Sequence, residues 1–225
     1  DFLHTSGLAR RPEYRTITRK ARGTTTVEKI SLYPWLPTAN TAPISHHITI
    51  EPFQKGIPLS TIWIQRLQID PREELLAALA REYFQYLQSR FEKVEHPGIL
   101  LDTLPMNIMI TPSGEWISFD HEWSSSFPID TSFVFFRGLF YFIHQATTVL
   151  QTVYREEPDC TFQTALERCA IAVGLNFQSK LEQFIDWEEH IQETVLESRK
   201  GITTRDFLNL RMFSSRQPVQ LFWAT

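Results

Sequence analysis

Cysteine is almost missing from this chain: 225 residues hold two, Cys160 and Cys169. They lie nine positions apart in a region of helical pattern, with no Cys/His cluster nearby, so they cannot form a zinc site alone. Both read as reduced thiols, which fits a cytosolic compartment. A basic excess is missing too. The 22 Lys and Arg against 26 Asp and Glu give a formal net charge of −4. That excludes bulk nucleic-acid binding by phosphate neutralisation and leaves room for a local basic pocket. The opening DFLHTSGLARR lacks the apolar core of a secretory leader. Long hydrophobic runs are lacking as well. The most apolar stretch, 133–150, is interrupted by Arg137, His144 and Gln145, whereas a membrane span wants about 20 mainly apolar residues. It reads as a buried helix, and no transmembrane segment is expected. Repeats and low-complexity runs are absent. The chain opens on Asp1 rather than Met, as a domain cut from a longer protein would.

What is present suits one globular domain. Hydrophobic residues make up 42% of the chain and charged residues 21%, enough for a core of ordinary size. The first third reads as strands. YRTITRK (14–20) and TTTVEKISL (24–32) are rich in β-branched residues, with a turn at Ala21-Arg22-Gly23, and predict a hairpin. Pro34, Pro37 and Pro43 leave room for at most a very short helix before a strand at Ile48–Ile50.

The remainder reads as mostly helical. Asp70-Pro71-Arg72-Glu73 predicts a helix start with Asp70 as the cap. Leu75, Leu76, Leu79, Tyr83, Tyr86, Leu87 and Phe91 then share one helical face, and Pro97-Gly98 ends the pattern. Short strands at 108–111 and 115–119 flank the turn Pro112-Ser113-Gly114. Further helices are predicted over about 131–153, 161–173 and 178–198 and from 204, with Gly174 as a stop.

The chemistry concentrates between Asp102 and Glu122. Asp102 and Asn107 have the spacing D-x4-N, and Asn107 leads straight into an apolar strand. After the tight turn a second strand delivers Asp120, so the hairpin brings Asn107 and Asp120 to the same end although thirteen positions separate them. Phosphoryl transfer needs an aspartate to orient an acceptor hydroxyl and take its proton, and hard oxygen ligands to hold Mg²⁺ against nucleotide phosphates.

The run D-T-L-P-M-N-I-M-I followed by F-D-H-E-W resembles the protein-kinase-like phosphotransferases of small molecules and sugars. With F-F-R-G after it, it is most similar to kinase-like modules that accompany methyltransferases or glycosyltransferases in bacterial surface-polysaccharide (O-antigen) biosynthesis. The resemblance implies an α+β, two-lobed fold, with a β-rich N-lobe over 1–52 and a hinge and helical C-lobe over 53–225. It implies an ATP- and Mg²⁺-dependent kinase acting on a hydroxyl of a glycan or small molecule. A methyltransferase or glycosyltransferase would be its fused or associated partner, and its place the cytoplasm or the inner face of the inner membrane. Asp102 would be the catalytic base, with Asn107 and Asp120 as metal ligands and Glu122 as a further carboxylate for the metal or the loop. Lys29 takes the place of the strand lysine that meets the phosphates. Ile50-Glu51-Pro52-Phe53 takes that of the hinge, where backbone groups near Glu51 and Phe53 would hold adenine.

Three features depart from that pattern. Leu100 stands where the catalytic loop has histidine. No G-x-G-x-x-G loop precedes the hairpin, and Arg10 and Arg11 are the residues there that could bind phosphate by charge. Between Leu32 and Ile48 there is no acidic residue and hardly space for the helix that carries the lysine's glutamate. Either another carboxylate pairs with Lys29 or it stands alone, so a catalytically inactive nucleotide-binding or scaffolding module is the second reading.

Other residues have plainer uses. Glu122 could equally pair with Arg137. His46 and His47 point to opposite faces of a strand and cannot share a metal. The aromatics Trp116, Trp123, Phe133, Phe135, Phe136, Phe140 and Phe142 read as core. Trp187-Glu188-Glu189-His190 reads as a helix face with a buried indole and solvated carboxylates.

Overall fold

In the computed structural model, residues 2–6, 10–20, 23–36, 44–48, 50–196 and 203–213 are described. The architecture is mixed α+β, with its largest sheet at the N-terminal end and helices through most of the rest. That sheet begins with β1 (Phe2–Ser6), a segment for which no element was predicted. It continues through β2 (Thr16–Lys20) and β3 (Thr26–Ser31), the predicted hairpin. Next come β4 (Ile44–His46) and β5 (Ile50–Pro52). The strand order β1-β2-β3-β5 is antiparallel throughout.

Register decides what the sheet presents. Thr18 lies opposite Lys29, and Val27 opposite Glu51. Directly paired residues share a face, and alternation adds Val27 to Lys29. Thr18, Val27, Lys29 and Glu51 therefore form one surface. Thr26, Glu28, Ile30 and Ile50 turn to solvent on the other.

The chain then forms β6 (Ile57–Pro58) and two helices, α1 (Leu59–Ile69) and α2 (Glu73–Phe91). The predicted cap at Asp70 is corrected. α2 starts at Glu73 after Arg72, and no side chain caps it. The Asp70 carboxylate is taken instead by the Arg72 guanidinium at 2.6 and 2.7 Å, so it cannot serve the helix amides. The apolar face is as patterned, with Leu76, Leu79, Tyr83 and Leu87 buried.

Short 3₁₀ turns at Pro97–Leu100 and Pro105–Asn107 lead into β7 (Ile108–Ile110) and β8 (Trp116–Ser118). Gly114 makes their turn possible at φ +84°, a left-handed conformation that suits glycine. β6 adds to the other edge of β7. The next strand, β9 (Trp123–Ser125), was not foreseen. It pairs with β4 through Ile44↔Ser125 and His46↔Trp123, and so stitches the segment between β3 and β5 onto the chain that follows Asp120.

The apolar stretch becomes α3 (Thr131–Gln145), capped by Asp130, whose side chain accepts from Phe133 N–H at 2.8 Å. Every residue from Phe133 to Ile143 is buried. A helix apolar all round is a core helix, and its rings pack edge-on or offset against Phe177, Phe184 and Trp187. The single helix predicted over 131–153 is corrected to two. The chain turns by 90° at Ala146 into α4 (Thr147–Val153). Thr147 Oγ1 donates to the carbonyls of His144 and Ile143 at 2.9 and 3.3 Å, a local bond that competes with continued helix.

Among the described residues no single helix is long and apolar enough to cross a membrane, although this bent pair passes that test together. α5 (Phe162–Ala172), α6 (Leu181–Val195) and α7 (Thr204–Asn209) are the remaining helices among the described residues, and Gly174 stops α5 at φ +77°. Both cysteines are free and buried, and burial pushes the Cys169 thiol up to about 12.

α2 and α3 approach closely at Gly138, where a Cβ would stand 2.1 Å from Tyr83 Oη. That hydroxyl donates to Thr103 O at 2.7 Å and so ties both helices to the loop after Asp102. Gly138→Ala should cost about 1–3 kcal/mol by overpacking. The measurement is the urea midpoint at unchanged slope; a midpoint equal to wild type would mean the two helices separate without cost.

Candidate active site

One cavity of about 370 Å³ lies between the large sheet and the β7–β8 hairpin. Thr18, Val27, Lys29 and Glu51 line it from the sheet face, followed by Pro52, Phe53 and Gln54 where the chain leaves β5. Met106, Asn107, Met109, Phe119 and Asp120 line it from the hairpin. The hairpin aligns its two polar residues by register. Ile108 faces Ser118, and one step further Phe119 N–H donates to Asn107 O at 2.9 Å, so Asp120 emerges beside Asn107.

Asn107 Nδ2 donates to Asp102 O at 3.1 Å. That bond uses the amide nitrogen and leaves Oδ1 as a hard oxygen donor. Asp120 sits at φ +63°, the left-handed region that Asp tolerates better than most residues. Its backbone is held by Glu51, whose carboxylate accepts from Asp120 N–H at 2.8 Å and His121 N–H at 3.1 Å. Glu51 was expected to contribute through the backbone; its side chain has this second task.

The backbone of the β5 exit has a definite polarity. Phe53 N–H donates to Thr25 O at 2.7 Å, so that amide is already used. Residues 25 and 53 continue the β3–β5 register, and antiparallel alternation makes Val27 and Glu51 a hydrogen-bonded pair as well. Pro52 falls in the non-bonded pair between them, where its missing N–H costs the ladder nothing. Its carbonyl points to the free edge. Gln54 N–H, two residues on, has no hydrogen-bond partner among the described residues.

Lys29 does have carboxylate partners. Its ammonium donates to Asp120 Oδ1 and, at 2.5 Å, to Glu122 Oε2. Glu122 Oε1 accepts from Arg10 and, at 3.1 Å, from Trp123 Nε1. His46 Nε2 stands 3.8 Å from Glu122 Oε2, beyond hydrogen-bond reach, and acts through space. Tyr14, His46 and Trp123 pack around this group, with ring centroids 4.5–5.5 Å apart. Burial opposes the charge on Glu122, and His46, Arg10 and Lys29 outweigh it, so the carboxyl lies well below the usual range. Arg10 is therefore turned to Glu122, and Arg11 lies elsewhere: its guanidinium donates to Glu193 O and Leu196 O at the end of α6. Neither arginine lines the cavity.

Asp102 sits behind Asn107, buried, with Oδ1 accepting from Arg137 at 2.8 Å. Arg137 also donates to Leu101 O and to Glu188 Oε2 at 2.7 and 2.8 Å. Glu188, expected in solvent, is fully buried and accepts from Tyr141 Oη at 2.5 Å. Burial works against the Arg137 charge, but Glu188 and Asp102 more than compensate and raise its pKa. The suggested Glu122–Arg137 pair is thus replaced by two separate clusters. Arg137 within an apolar run was the one sequence sign of such a brace. Nothing in the pattern pointed to the clamp by Glu51 or to the Trp123 and His46 contacts.

Among the described residues no three His, Cys, Asp or Glu side chains converge as a metal cage. Comparison with family models, curated proteins and solved structures finds no match to this chain.

The Glu51 clamp makes a checkable claim. Glu51→Ala should speed amide exchange at Asp120 and His121 and cost about 1–3 kcal/mol for the donors left unpaired. Hydrogen exchange resolved at those two amides decides it; unchanged protection would show that the loop holds its own shape.

Proposed function

We propose that this chain is an ATP- and Mg²⁺-dependent phosphotransferase acting on a hydroxyl of a glycan or other small molecule, built on a two-lobed protein-kinase-like fold. The observation that carries the reading is the cavity itself. It gathers a strand lysine, an unpaired backbone edge, an amide and a carboxylate around one space of nucleotide size.

Pro52 C=O and Gln54 N–H offer an acceptor and a donor on one edge. That matches the amino group and ring nitrogen of adenine, and Val27, Met106 and Met109 supply apolar walls. Asn107 and Asp120 would hold Mg²⁺, completed by phosphate oxygens, since this metal is usually held by one or two carboxylates and its substrate rather than by a protein cage. Bound there, it would offset the charge of the β- and γ-phosphates. Lys29 reaches the same end of the cavity and would take the phosphates nearest the sheet.

In the transfer, the acceptor oxygen attacks the γ-phosphorus as its bond to the β-phosphate oxygen breaks, and ADP leaves. Asp102 takes the hydroxyl proton. Its Oδ1 is fixed by Arg137, while Oδ2 has no hydrogen-bond partner among the described residues. The resemblance of its motifs, rather than the site, carries the narrower reading of a cytoplasmic enzyme of surface-polysaccharide assembly working beside a methyltransferase or glycosyltransferase. A second reading, nucleotide binding without transfer, is favoured by one feature: Asp102 does not line the cavity.

Thermal unfolding with ATP tests the site. At a hundredfold excess over its dissociation constant, Mg-ATP should add about 2.7 kcal/mol of apparent stability. Asp120→Ala should lose the Mg²⁺-dependent part. Silence with every nucleotide would refute the reading, and binding without ADP release on any hydroxylated acceptor would select the second.

A further inference from the structure

Lys29 holds two carboxylates of very different standing. The Glu122 side chain is 2% exposed and does not line the cavity, whereas the Asp120 side chain is 33% exposed and does. Both oxygens of Glu122 are occupied. Oε1 accepts from Arg10 and Trp123, and Oε2 from Lys29, with His46 behind it. A metal ligand needs a lone pair facing the ion, and Glu122 has none to give on the cavity side. Among the described residues, Asp120 makes one side-chain contact of this kind, with Lys29.

We propose that Glu122 is the permanent positioning residue of Lys29 rather than a metal ligand, and that the Lys29–Asp120 pair is a latch opened by an incoming polyphosphate. The proposal rests on the nucleotide reading above and deepens it. It also answers the missing acidic residue between Leu32 and Ile48: the carboxylate comes from the residue just before β9 instead of from a helix beside the sheet.

Charge explains the latch. Arg10 and Lys29 carry two positive charges, and Asp120 and Glu122 carry two negative ones, so the closed group is neutral. When Asp120 turns to a metal, Arg10, Lys29 and Glu122 remain with one net positive charge, which Lys29 presents to the cavity, and a polyphosphate is attracted to it. Glu122 keeps the ammonium from following Asp120 or folding into solvent. Trp123 and the β4–β9 pairing keep Glu122 in place.

The two carboxylates therefore give opposite responses to ATP binding, measured by calorimetry in EDTA and in Mg²⁺. Glu122→Gln should weaken ATP about tenfold in both, leaving the Mg²⁺ enhancement intact, as loss of a charged hydrogen bond at a positioned lysine implies. Asp120→Asn should lose the Mg²⁺ enhancement and bind metal-free ATP more tightly than wild type, because the competitor for Lys29 is gone. Adding Lys29→Met should erase that gain.

The proposal is overturned if Glu122→Gln loses the Mg²⁺ enhancement, or if Asp120→Asn binds metal-free ATP no better than wild type. Should Glu122→Gln fail to fold, the Asp120→Asn and Lys29→Met arms still decide the latch. If wild type binds no nucleotide, the functional reading fails by itself. Pairing is then read from urea midpoints of Lys29→Met, Glu122→Gln and the double variant. Losses smaller than their sum support Glu122 as the partner of Lys29, and additive losses refute it.

Discussion

Where the large sheet meets the helices, one buried carboxylate collects Arg10 from the segment before β2, Lys29 from β3 and Trp123 from β9, with His46 of β4 close behind. Glu122 is thereby the point at which four separate pieces of chain are tied together. Burying a carboxylate and two cations costs several kcal/mol per ion in desolvation, which the attractions repay only if the geometry is good and every lone pair is used. Here both carboxylate oxygens are engaged, by three donors in all, and burial fails to raise the carboxyl's pKa. Such a group contributes less to net stability than to uniqueness. Few other arrangements of β3, β4 and β9 would satisfy it, and it holds Lys29 at the edge of the cavity.

The rest of the site follows from that placement. Strand register puts Glu51 on the same face as Lys29, and Glu51 in turn holds the left-handed turn at Asp120. Asp120 can then meet the ammonium from below while remaining partly exposed. On the helical side a second buried group, Arg137 with Asp102 and Glu188, braces the loop that carries Asn107. Two buried ionic clusters flank the cavity, one reaching it through Lys29 and the other through Asn107. What lies between them, Lys29, Asp120 and the edge at Pro52–Gln54, is the part whose polar groups can exchange partners.

Local patterns in the sequence carried much of this. β-branched runs marked β2 and β3, and the spacing of leucines and tyrosines marked α2. Pro112-Ser113-Gly114 marked the hairpin that unites Asn107 and Asp120. The failures around the site share a cause, being long-range, whereas the one at Asp70 was local. Asp70 looked like a cap because its neighbours fit, but Arg72 outcompeted the amides for its carboxylate. Glu188 looked solvated because its neighbours are polar; Arg137, 51 positions away, buries it. The partner of Lys29 was sought nearby and lies 93 positions on. Sequence periodicity reports which face of an element is apolar. It does not report which distant charge that element will meet.

A crystal structure with Mg²⁺ and a non-hydrolysable ATP analogue tests the central claim most directly. The account predicts adenine against Pro52 C=O and Gln54 N–H, Asp120 turned from Lys29 to the metal, and Lys29 still on Glu122. A nucleotide bound outside this cavity, or Glu122 leaving Lys29 to ligate the metal, would contradict it.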